Sequence, residues 1–456
     1  MRRYGGWLVV GAVAAAAAGL SRLDAVRELG AGPALILILT MLALWATGVI
    51  AEYVTAMVFF TAAILFAIAP PEVTFAGFSS TAFWLIFPGL FIGVAVNRTG
   101  LGDRLARRLL ARFPKSYVGV VFGNAILGVA MAFIMPSAMG RILLLLPIFS
   151  AIAARLGYAP GSRPYVGVVL SGIFGTFFPA VTILPANVPN VVLIGAAEAM
   201  GIAPPDFAHY LLLHFPVMGA LRTVLTTAIV AWMYRGGAAR PVSDDGAATP
   251  MTAAEWRLSA ILALALLLWC TDSWHHISPA WVGMLAGIAC LLPGVGVLGA
   301  DAIQRINVAS LFYIAAIVGL GVLVSTSGIG RLAADGLLAV LPFEPGSPAR
   351  NFGLLAGIAS LTGVLASQPG IPAVLTPLAR EFAAASGLPL MTVLMTQVLG
   401  YATVLLTFQA PALVVAIQAL DLPMREANKL CFAVSAASIV LLWPLNYLWW
   451  AWLGLF

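Results

Sequence analysis

Residues 136–141 read Pro-Ser-Ala-Met-Gly-Arg, and they interrupt an apolar run between about residues 116 and 157. A related stretch, Ala-Ser-Gln-Pro-Gly at residues 366–370, interrupts a second apolar run between about residues 350 and 385. Unwound backbone at membrane depth frees N–H and C=O groups that an unbroken helix keeps paired. Two such interruptions at matching places in two halves are typical of a secondary transporter's binding site, whereas simple Pro and Gly kinks are the alternative.

The rest of the chain is too apolar for a soluble protein. It is 62% hydrophobic and 9% charged, with a mean hydropathy of +1.04. At about 20 residues per crossing, the apolar runs predict an all-α polytopic membrane protein with about 11 transmembrane helices, besides two re-entrant hairpins at the interrupted runs. The predicted spans are residues 5–20, 33–51, 54–70, 80–98, 164–184, 215–234, 258–272, 279–293, 307–326, 390–407 and 429–450.

The first predicted span begins with two arginines and continues as an Ala-rich run, which fits either an uncleaved helix or a secretory signal peptide. We favour the uncleaved helix because no clear cleavage site follows in a polar segment. Three scattered cysteines in apolar helices predict neither a metal site nor a disulfide framework, and no cofactor is expected beyond sodium as a possible coupling ion.

The net charge of +6 reports membrane orientation rather than a nucleic-acid partner. With the N-terminus placed in the cytoplasm, most of the 23 Lys and Arg residues fall in cytoplasmic segments, which is the positive-inside pattern. We therefore predict a multi-pass protein of a bacterial inner membrane with a periplasmic C-terminus. The arginines assigned to the outside are Arg22, Arg27, Arg331, Arg350 and Arg380.

Several motifs recur after about 230 positions, which indicates an internal duplication. Residues 97–102 resemble residues 325–330, Ser137 corresponds to Ser367, and Asn187 corresponds to Gln409. An odd number of crossings between corresponding spans predicts inverted repeats. We divide the chain into an N-terminal span and loop (1–32), a first repeat (33–234), a cytoplasmic linker (235–257) and a second repeat (258–456).

Both interruptions and two further polar breaks supply the candidate binding groups, because helix termini offer partial charges without a buried full charge. The further breaks lie at residues 185–190 (PANVPN) and 407–411 (TFQAP). The predicted solute ligands are Ser137, Ala138, Gly140, Arg141, Asn187, Asn190, Ser367, Gln368, Gly370 and Gln409. The predicted coupling-ion ligands are Ser137, Asn187, Asn190, Ser367 and Thr407.

Arg141 is the most unusual of these residues, since a guanidinium at the bilayer centre costs about 2.5–3.5 kcal/mol or more unless it is paired or hydrated. We expect it to face the solute and supply a positive charge for a carboxylate or a tetrahedral oxyanion. The alternative is a side chain that extends to the cytoplasmic interface. Arg222 also falls at membrane depth, and Glu198 is its candidate partner.

Two other functions remain as alternatives. A cation/proton antiporter would need intramembrane carboxylates, and such residues are scarce. A membrane-embedded enzyme would need His, Asp or Glu grouped at one membrane face, and the chain has only 4 His. The basic segment 101–115 is interpreted as an amphipathic helix on the cytoplasmic surface.

From about residue 33 onward, the chain resembles the divalent anion/sodium symporter family. The similarity lies in residues 84–102 (WLIFPGLFIGVAVNRTGLG), in the run SAMGRILLLLPI from Ser137, and in the PANVPN break. The resemblance implies an elevator-type carrier of small anions such as dicarboxylates or sulfate. It also implies a homodimerising scaffold domain and a transport domain with the two hairpins, each drawn from both repeats. The family's Ser-Asn-Thr tips are degenerate here, because Ala138-Met139 and Gln368-Pro369 follow the two serines. One interpretation is that Arg141 replaces the charge of a bound sodium, which would favour proton coupling, exchange or facilitated transport.

Overall fold

The computed structural model describes residues 2–110, 116–235, 250–365 and 368–456. Within these ranges the secondary structure is helical, without a strand. Eight helices are long and apolar enough to cross a membrane, and six shorter apolar helices accompany them. The predicted all-α polytopic membrane fold is thereby confirmed.

The first half begins with long apolar helices and continues into a helical hairpin and a broken span. Its α-helices are Arg2–Leu20, Asp24–Glu28, Gly32–Thr47, Glu52–Leu65, Pro71–Thr74, Ala76–Ser79, Thr81–Thr99, Leu101–Leu110, Tyr117–Ile134, Ala138–Arg155, Arg163–Phe177, Val188–Ala199, Phe207–His214 and Arg222–Met233.

The second half presents a similar series of elements after the linker, whose residues 236–249 lie outside the described ranges. Its α-helices are Ala253–Cys270, Asp272–His275, Pro279–Leu291, Ala302–Arg305, Val308–Thr326, Ile329–Leu338, Pro348–Leu365, Gly370–Leu375, Ala379–Ser386, Leu390–Ala402, Pro411–Ala419, Met424–Ala437 and Trp443–Trp452.

Each interrupted apolar run forms two helices joined at a tip. In the first hairpin, Tyr117–Ile134 and Ala138–Arg155, Met135 is extended because it precedes Pro136, and the helix stops there. Ser137 then starts the returning helix as its N-cap. In the second hairpin, Pro348–Leu365 and Gly370–Leu375, the tip includes residues 366–367, outside the described ranges.

Each hairpin is followed by a span whose middle is not α-helical. The first broken span consists of Arg163–Phe177 and Val188–Ala199, separated by two short 3-10 turns. The second consists of Leu390–Ala402 and Pro411–Ala419, with the 3-10 turn Thr407–Gln409 between them. Residues 185–187 and 407–410 lie in these interruptions, and Pro189, Asn190 and Pro411 lie in the first turns of the helices that follow. The unwound residues 185–187 are buried in the protein.

Two long helices, Phe207–Met233 and Met424–Trp452, each contain a π-helical turn and contact each other. The turns are Phe215–Leu221 and Ser438–Leu442. Pro216 has no N–H, so the carbonyl of Leu212 lacks its α-helical donor. The indole Nε1 of Trp449 donates to that carbonyl at 2.9 Å. The two helices are therefore joined where proline disrupts one of them.

Arg104 connects the basic helix Leu101–Leu110 to the start of the second half. Its Nε lies 2.5 Å from one oxygen of Glu255 and its Nη2 lies 3.0 Å from the other. Glu255 also forms a capping box with Thr252, which starts the helix Ala253–Cys270. Of the segment 101–115 predicted to form an amphipathic helix, residues 101–110 are helical, and residues 111–115 lie outside the described ranges. Arg104 is buried in a contact with the second half rather than on an exposed face.

We expect Glu255→Gln to lower the midpoint of thermal unfolding by a few degrees. Gln can retain the capping box but not the charge, so the buried Arg104 guanidinium loses its ion pair. The matched control is Glu344→Gln, because Glu344 pairs with Arg350 at 2.5 Å on the surface, where both side chains are about half exposed. Exposed pairs contribute little to stability, so equal shifts in the two variants would contradict the prediction.

Candidate functional site

A cavity of about 410 Å³ lies where the tips of the two hairpins meet the two broken spans. Its size falls in the range of small-molecule sites. Helices Thr81–Thr99 and Val308–Thr326, together with Glu52 and residues 305–307, form the rest of its wall. Of the predicted solute ligands, those that line it are Ser137, Ala138, Gly140, Asn187 and Gln368. The cavity is therefore the candidate solute site.

The tip of the first hairpin presents a helix N-terminus to this cavity. The hydroxyl oxygen of Ser137 accepts a hydrogen bond from the amide of Gly140 at 3.1 Å. The first amides of an α-helix have no acceptor within it, so those of Ala138 and Met139 are available to a bound group. Together with the helix dipole, these amides favour an anion at this place.

Asn187 provides a donor at the first broken span. Its Oδ1 accepts from the amide of Val188 at 3.1 Å and so caps the helix Val188–Ala199. Its Nδ2 is buried and has no hydrogen-bond partner among the described residues. A buried donor without a partner is costly unless a ligand or water pairs with it. Because Asn187 lines the cavity, this amide is a candidate contact for solute.

Arg141 is enclosed by protein, with no exposed surface. Its guanidinium donates to the carbonyl of Met135, and its Nη2 donates to the carbonyl of Ala186 at 2.9 Å. Met135 ends a helix and Ala186 belongs to the broken span. Arg141 therefore lies behind the cavity wall and joins the hairpin tip to the break. The alternative interpretation required the side chain of Arg141 to extend to the cytoplasmic interface, and this is not observed.

Gln368 joins the tip of the second hairpin to the second broken span. Its side-chain amide donates to the carbonyl of Tyr401, and its backbone N–H donates to the carbonyl of Gln409 at 3.1 Å. Tyr401 in turn contacts Tyr210 through their hydroxyl groups at 3.0 Å. The position of Ser367, the other predicted ligand at this tip, lies outside the described residues.

The remaining predicted ligands lie near the cavity but do not line it. Asn190 donates to the carbonyls of Ala180 and Ile183, at 3.1 and 2.9 Å, and so holds the first break in shape. The side-chain oxygen Oε1 of Gln409 accepts from two backbone amides at 2.8 Å. Thr407 donates to Asn428, and Gly370 begins a buried helix. These groups support the breaks, and solute in the cavity would not touch them directly.

Sequence reasoning did not identify the polar residues on the opposite wall, namely Glu52, Asn97, Asn307, Ser310 and Tyr313. Glu52, Asn97 and Asn307 lie at or near helix ends and are exposed, so they mark the mouth of the cavity. Arg305 also lies there, and its Nε donates to Asp301 at 2.7 Å. This hydrogen bond holds the pKa of Asp301 below its usual value. Polar residues at the ends of predicted spans were the available signal, but their convergence depends on helix packing.

The expected pairing of Arg222 with Glu198 is wrong. The guanidinium of Arg222 is buried and lies 4.0 Å from the ring centroid of Phe178, a cation–π contact. The carboxylate of Glu198 accepts from the hydroxyl and the backbone amide of Thr81. The sequence predicts Arg222 at membrane depth and Glu198 just beyond a break, but it does not show which neighbouring helix each side chain faces.

Comparison with known proteins agrees with this architecture. The family model described as the sodium:sulfate symporter transmembrane region matches residues 23–456. The dicarboxylate transporter 2.1 of Arabidopsis thaliana chloroplasts is 26% identical over 405 residues, which cover 84% of this chain and 70% of that protein. The L-tartrate/succinate antiporter of Escherichia coli K12 is 23% identical over 59% of this chain and 58% of its own length.

Other similar proteins match over less of their length or at lower identity. A membrane protein of Cupriavidus necator is 26% identical, and the match spans only 46% of its length and 50% of this chain. The crystal structure of the YdaH transporter of Alcanivorax borkumensis shares the fold, with a TM-score of 0.55 at 15% identity, over 83% of this chain and 86% of that one. The family is one of transporters rather than enzymes. Because its model matches nearly the whole chain, this protein belongs to the sodium:sulfate symporter family, the divalent anion/sodium symporters.

Proposed function

We propose that this chain is a secondary transporter of a small organic or inorganic anion of the carboxylate or sulfate class. The unpaired Nδ2 of Asn187 in the cavity wall is the observation that carries this proposal. It lies at the start of one helix, and the free amides of Ala138 and Met139 lie at the start of another. Converging helix N-termini and side-chain amides are suited to an anion.

The buried charges favour the same solute class. Arg141 and Arg222 are fully buried, one against Ala186 and the other against Phe178, and neither forms an ion pair with a described carboxylate. Among the described residues that line the cavity, Glu52 at the mouth is the one acidic residue. A cation/proton antiporter would instead need carboxylates at the breaks, so this alternative is not favoured.

The function is tested by uptake of labelled succinate and labelled sulfate into proteoliposomes that contain the purified protein. We expect saturable uptake of at least one anion, with unlabelled anions as competitors. Empty liposomes provide the background. Saturable uptake of sodium or protons without any anion would contradict this function and support the antiporter.

For the coupling mechanism, we propose that Arg141 serves as a resident cation in place of a transported one. Its guanidinium donates hydrogen bonds to two carbonyl oxygens, one at a helix end and one in unwound backbone. Carbonyls of these two kinds are the ligands that coupling cations use in transporters. A fixed positive charge there supports exchange, proton coupling or facilitated transport. Under this proposal, Asn190 and Thr407 do not bind a coupling ion but hold the backbone of the two breaks in place.

We expect anion uptake at equal rates under an inward sodium gradient and under a matched potassium gradient. The physical reason is that a guanidinium already supplies the charge and fills the carbonyl pair. Initial rates with the membrane potential clamped give the comparison. Strict dependence on sodium would exclude this role for Arg141 and leave the anion-transport proposal in place.

The larger-scale mechanism is also proposed. The two hairpins and broken spans would move as a rigid transport domain against the scaffold, carrying the site across the inner membrane in elevator fashion. We place the N-terminus in the cytoplasm from the positive-inside pattern, and we propose a homodimer as the assembled state. Light scattering of the protein in detergent measures the oligomeric state.

A further inference from the structure

We infer that Glu198 is a positioning residue of the transport cycle: its ionised carboxylate holds the first broken span against helix Thr81–Thr99, and its protonation releases the span. This inference rests on the proposed elevator movement of the broken spans. Glu198 does not line the cavity, so its role is the same whichever anion the protein carries.

The carboxylate of Glu198 lies at the start of a neighbouring helix. One of its oxygens accepts from the hydroxyl of Thr81 and, at 3.3 Å, from the backbone amide of Thr81. Ser80 is the N-cap of helix Thr81–Thr99, so this amide has no acceptor within its own helix. Helix N-termini attract negative charge, and hydrogen bonds to an ionised acceptor are stronger than those to a neutral one. Protonation of the carboxylate therefore weakens this contact.

The contact between Glu198 and Thr81 joins two parts of the protein that the proposed movement separates. Glu198 belongs to the first broken span, which is part of the proposed transport domain, whereas Thr81–Thr99 is neither a hairpin nor a broken span. The two helices touch closely beside the contact, because a Cβ atom added at Gly195 would lie 2.6 Å from the Cβ of Ala82. Movement of the broken span past this helix must break both hydrogen bonds of the carboxylate.

This contact lies at the end of helix Thr81–Thr99 that is farther from the cavity mouth. Thr81 begins the helix, whereas Asn97 near its other end lines the cavity at the mouth. A helix of 19 residues is about 28 Å long. The contact between Glu198 and Thr81 therefore stabilises the state in which the cavity opens at the Asn97 end.

The elements that pack against helix Val188–Ala199 bring few other charges to Glu198. They include helices Thr81–Thr99, Val308–Thr326, Gly370–Leu375 and Leu390–Ala402, whose charged or titratable residues are Arg98, Tyr313 and Tyr401. Arg98 lies at the far end of its helix and pairs with Asp301 at 3.4 Å. Tyrosines ordinarily ionise near pH 10, well above the range tested below. Arg380 of the next helix is exposed and donates to the carbonyl of Met200 at 3.4 Å. The pH response of the contact is therefore assigned to Glu198.

The experiment compares Glu198→Gln with the wild type in proteoliposomes that exchange labelled for unlabelled anion, with sulfate and succinate tested separately. Gln has the shape of Glu without its charge, so it imitates the protonated carboxyl at every pH. Each exchange cycle must break the contact, and we expect the variant to exchange at least about fivefold faster at pH 7.5. This ratio of rates should fall at least about twofold at pH 4.5, near the ordinary Glu pKa of about 4.3, where wild-type Glu198 is partly protonated. Protonation of the solute cancels in the ratio, because both proteins receive the same solute.

Three further variants serve as controls. Glu344→Gln removes a carboxylate that pairs at 2.5 Å with Arg350 of the adjoining hairpin, within one part of the protein, and its rate should match the wild type at both pH values. Thr81→Ser keeps both donors and should also behave like the wild type. Thr81→Val removes the hydroxyl donor and should speed exchange, but it should add little to Glu198→Gln, since the two changes break the same contact.

A Glu198→Gln protein that folds but exchanges no faster than the wild type, or a ratio that stays constant with pH, would overturn the inference and leave anion transport in place. Additive effects of Thr81→Val and Glu198→Gln would also overturn it. If Glu198→Gln does not fold, the comparison of Thr81→Val with Thr81→Ser decides, and equal rates count against the inference. If the wild type exchanges neither anion, the proposed function itself fails.

Discussion

Replacing Asn187 with Asp is expected to abolish anion binding while the fold is retained. Asp is as good a helix N-cap as Asn, so its carboxylate can still accept from the amide of Val188. The substitution changes the unpaired Nδ2 donor into a carboxylate oxygen. Two like charges about 4 Å apart repel by about 4 kcal/mol at an effective dielectric constant of about 20. We expect a loss of at least about 100-fold in affinity, measured by ligand-dependent stabilisation and uptake.

The control for this variant is Asn187→Ser. Serine also caps helices and keeps a hydroxyl donor without a charge, so an intermediate loss of affinity is expected. Unfolding temperatures without ligand should be similar for the wild type and both variants. Tight anion binding by a folded Asn187→Asp protein would show that solute does not contact this side chain.

Replacing Arg141 with Ala is expected to reduce sodium-independent uptake by at least about 100-fold. The carbonyls of Met135 and Ala186 lose their donors, and each unpaired buried group costs about 1–3 kcal/mol. The site also loses its resident positive charge. Because carbonyls at a helix end and in unwound backbone can bind sodium, we expect sodium to restore part of the uptake. Initial rates in sodium and in potassium media measure this effect.

Arg222→Met is the matched control for a buried charge. Arg222 is equally buried, but its guanidinium stacks on Phe178 and is not hydrogen-bonded to the hairpin tip. Its removal should weaken anion uptake less and should not create a response to sodium. If Arg141→Ala and Arg222→Met behave alike, then Arg141 contributes only to the general positive potential of the domain.

Several elements followed from the sequence because their causes are local. Pro136 ends one helix and Ser137 caps the next, so the position of the first tip could be predicted to the residue. The breaks at residues 185–190 and 407–411 were likewise marked by proline and amide residues in apolar surroundings. The apolar runs fixed the all-helical membrane class, since a lipid environment requires paired backbone groups.

The assignment of roles at the site depended on contacts between distant segments. Asn187 and Asn190 are three residues apart in one motif, yet Asn187 faces the cavity whereas Asn190 faces the carbonyls of its own break. Arg141 belongs to the first hairpin, whereas one of its two acceptors, the carbonyl of Ala186, belongs to the first broken span. No local pattern distinguishes a side chain that touches solute from one that supports the backbone beside it.

By itself, the sequence determined the helical membrane class and the places where helices are interrupted, because proline chemistry, capping and hydrophobicity act over a few neighbouring residues. The tertiary structure alone decided which polar groups meet at one cavity, that Arg141 lies behind its wall, and that residues such as Glu52 and Asn307 border its mouth. Helix packing makes these choices, since rotation of a helix about its axis moves a side chain from the cavity to the core without changing the sequence pattern.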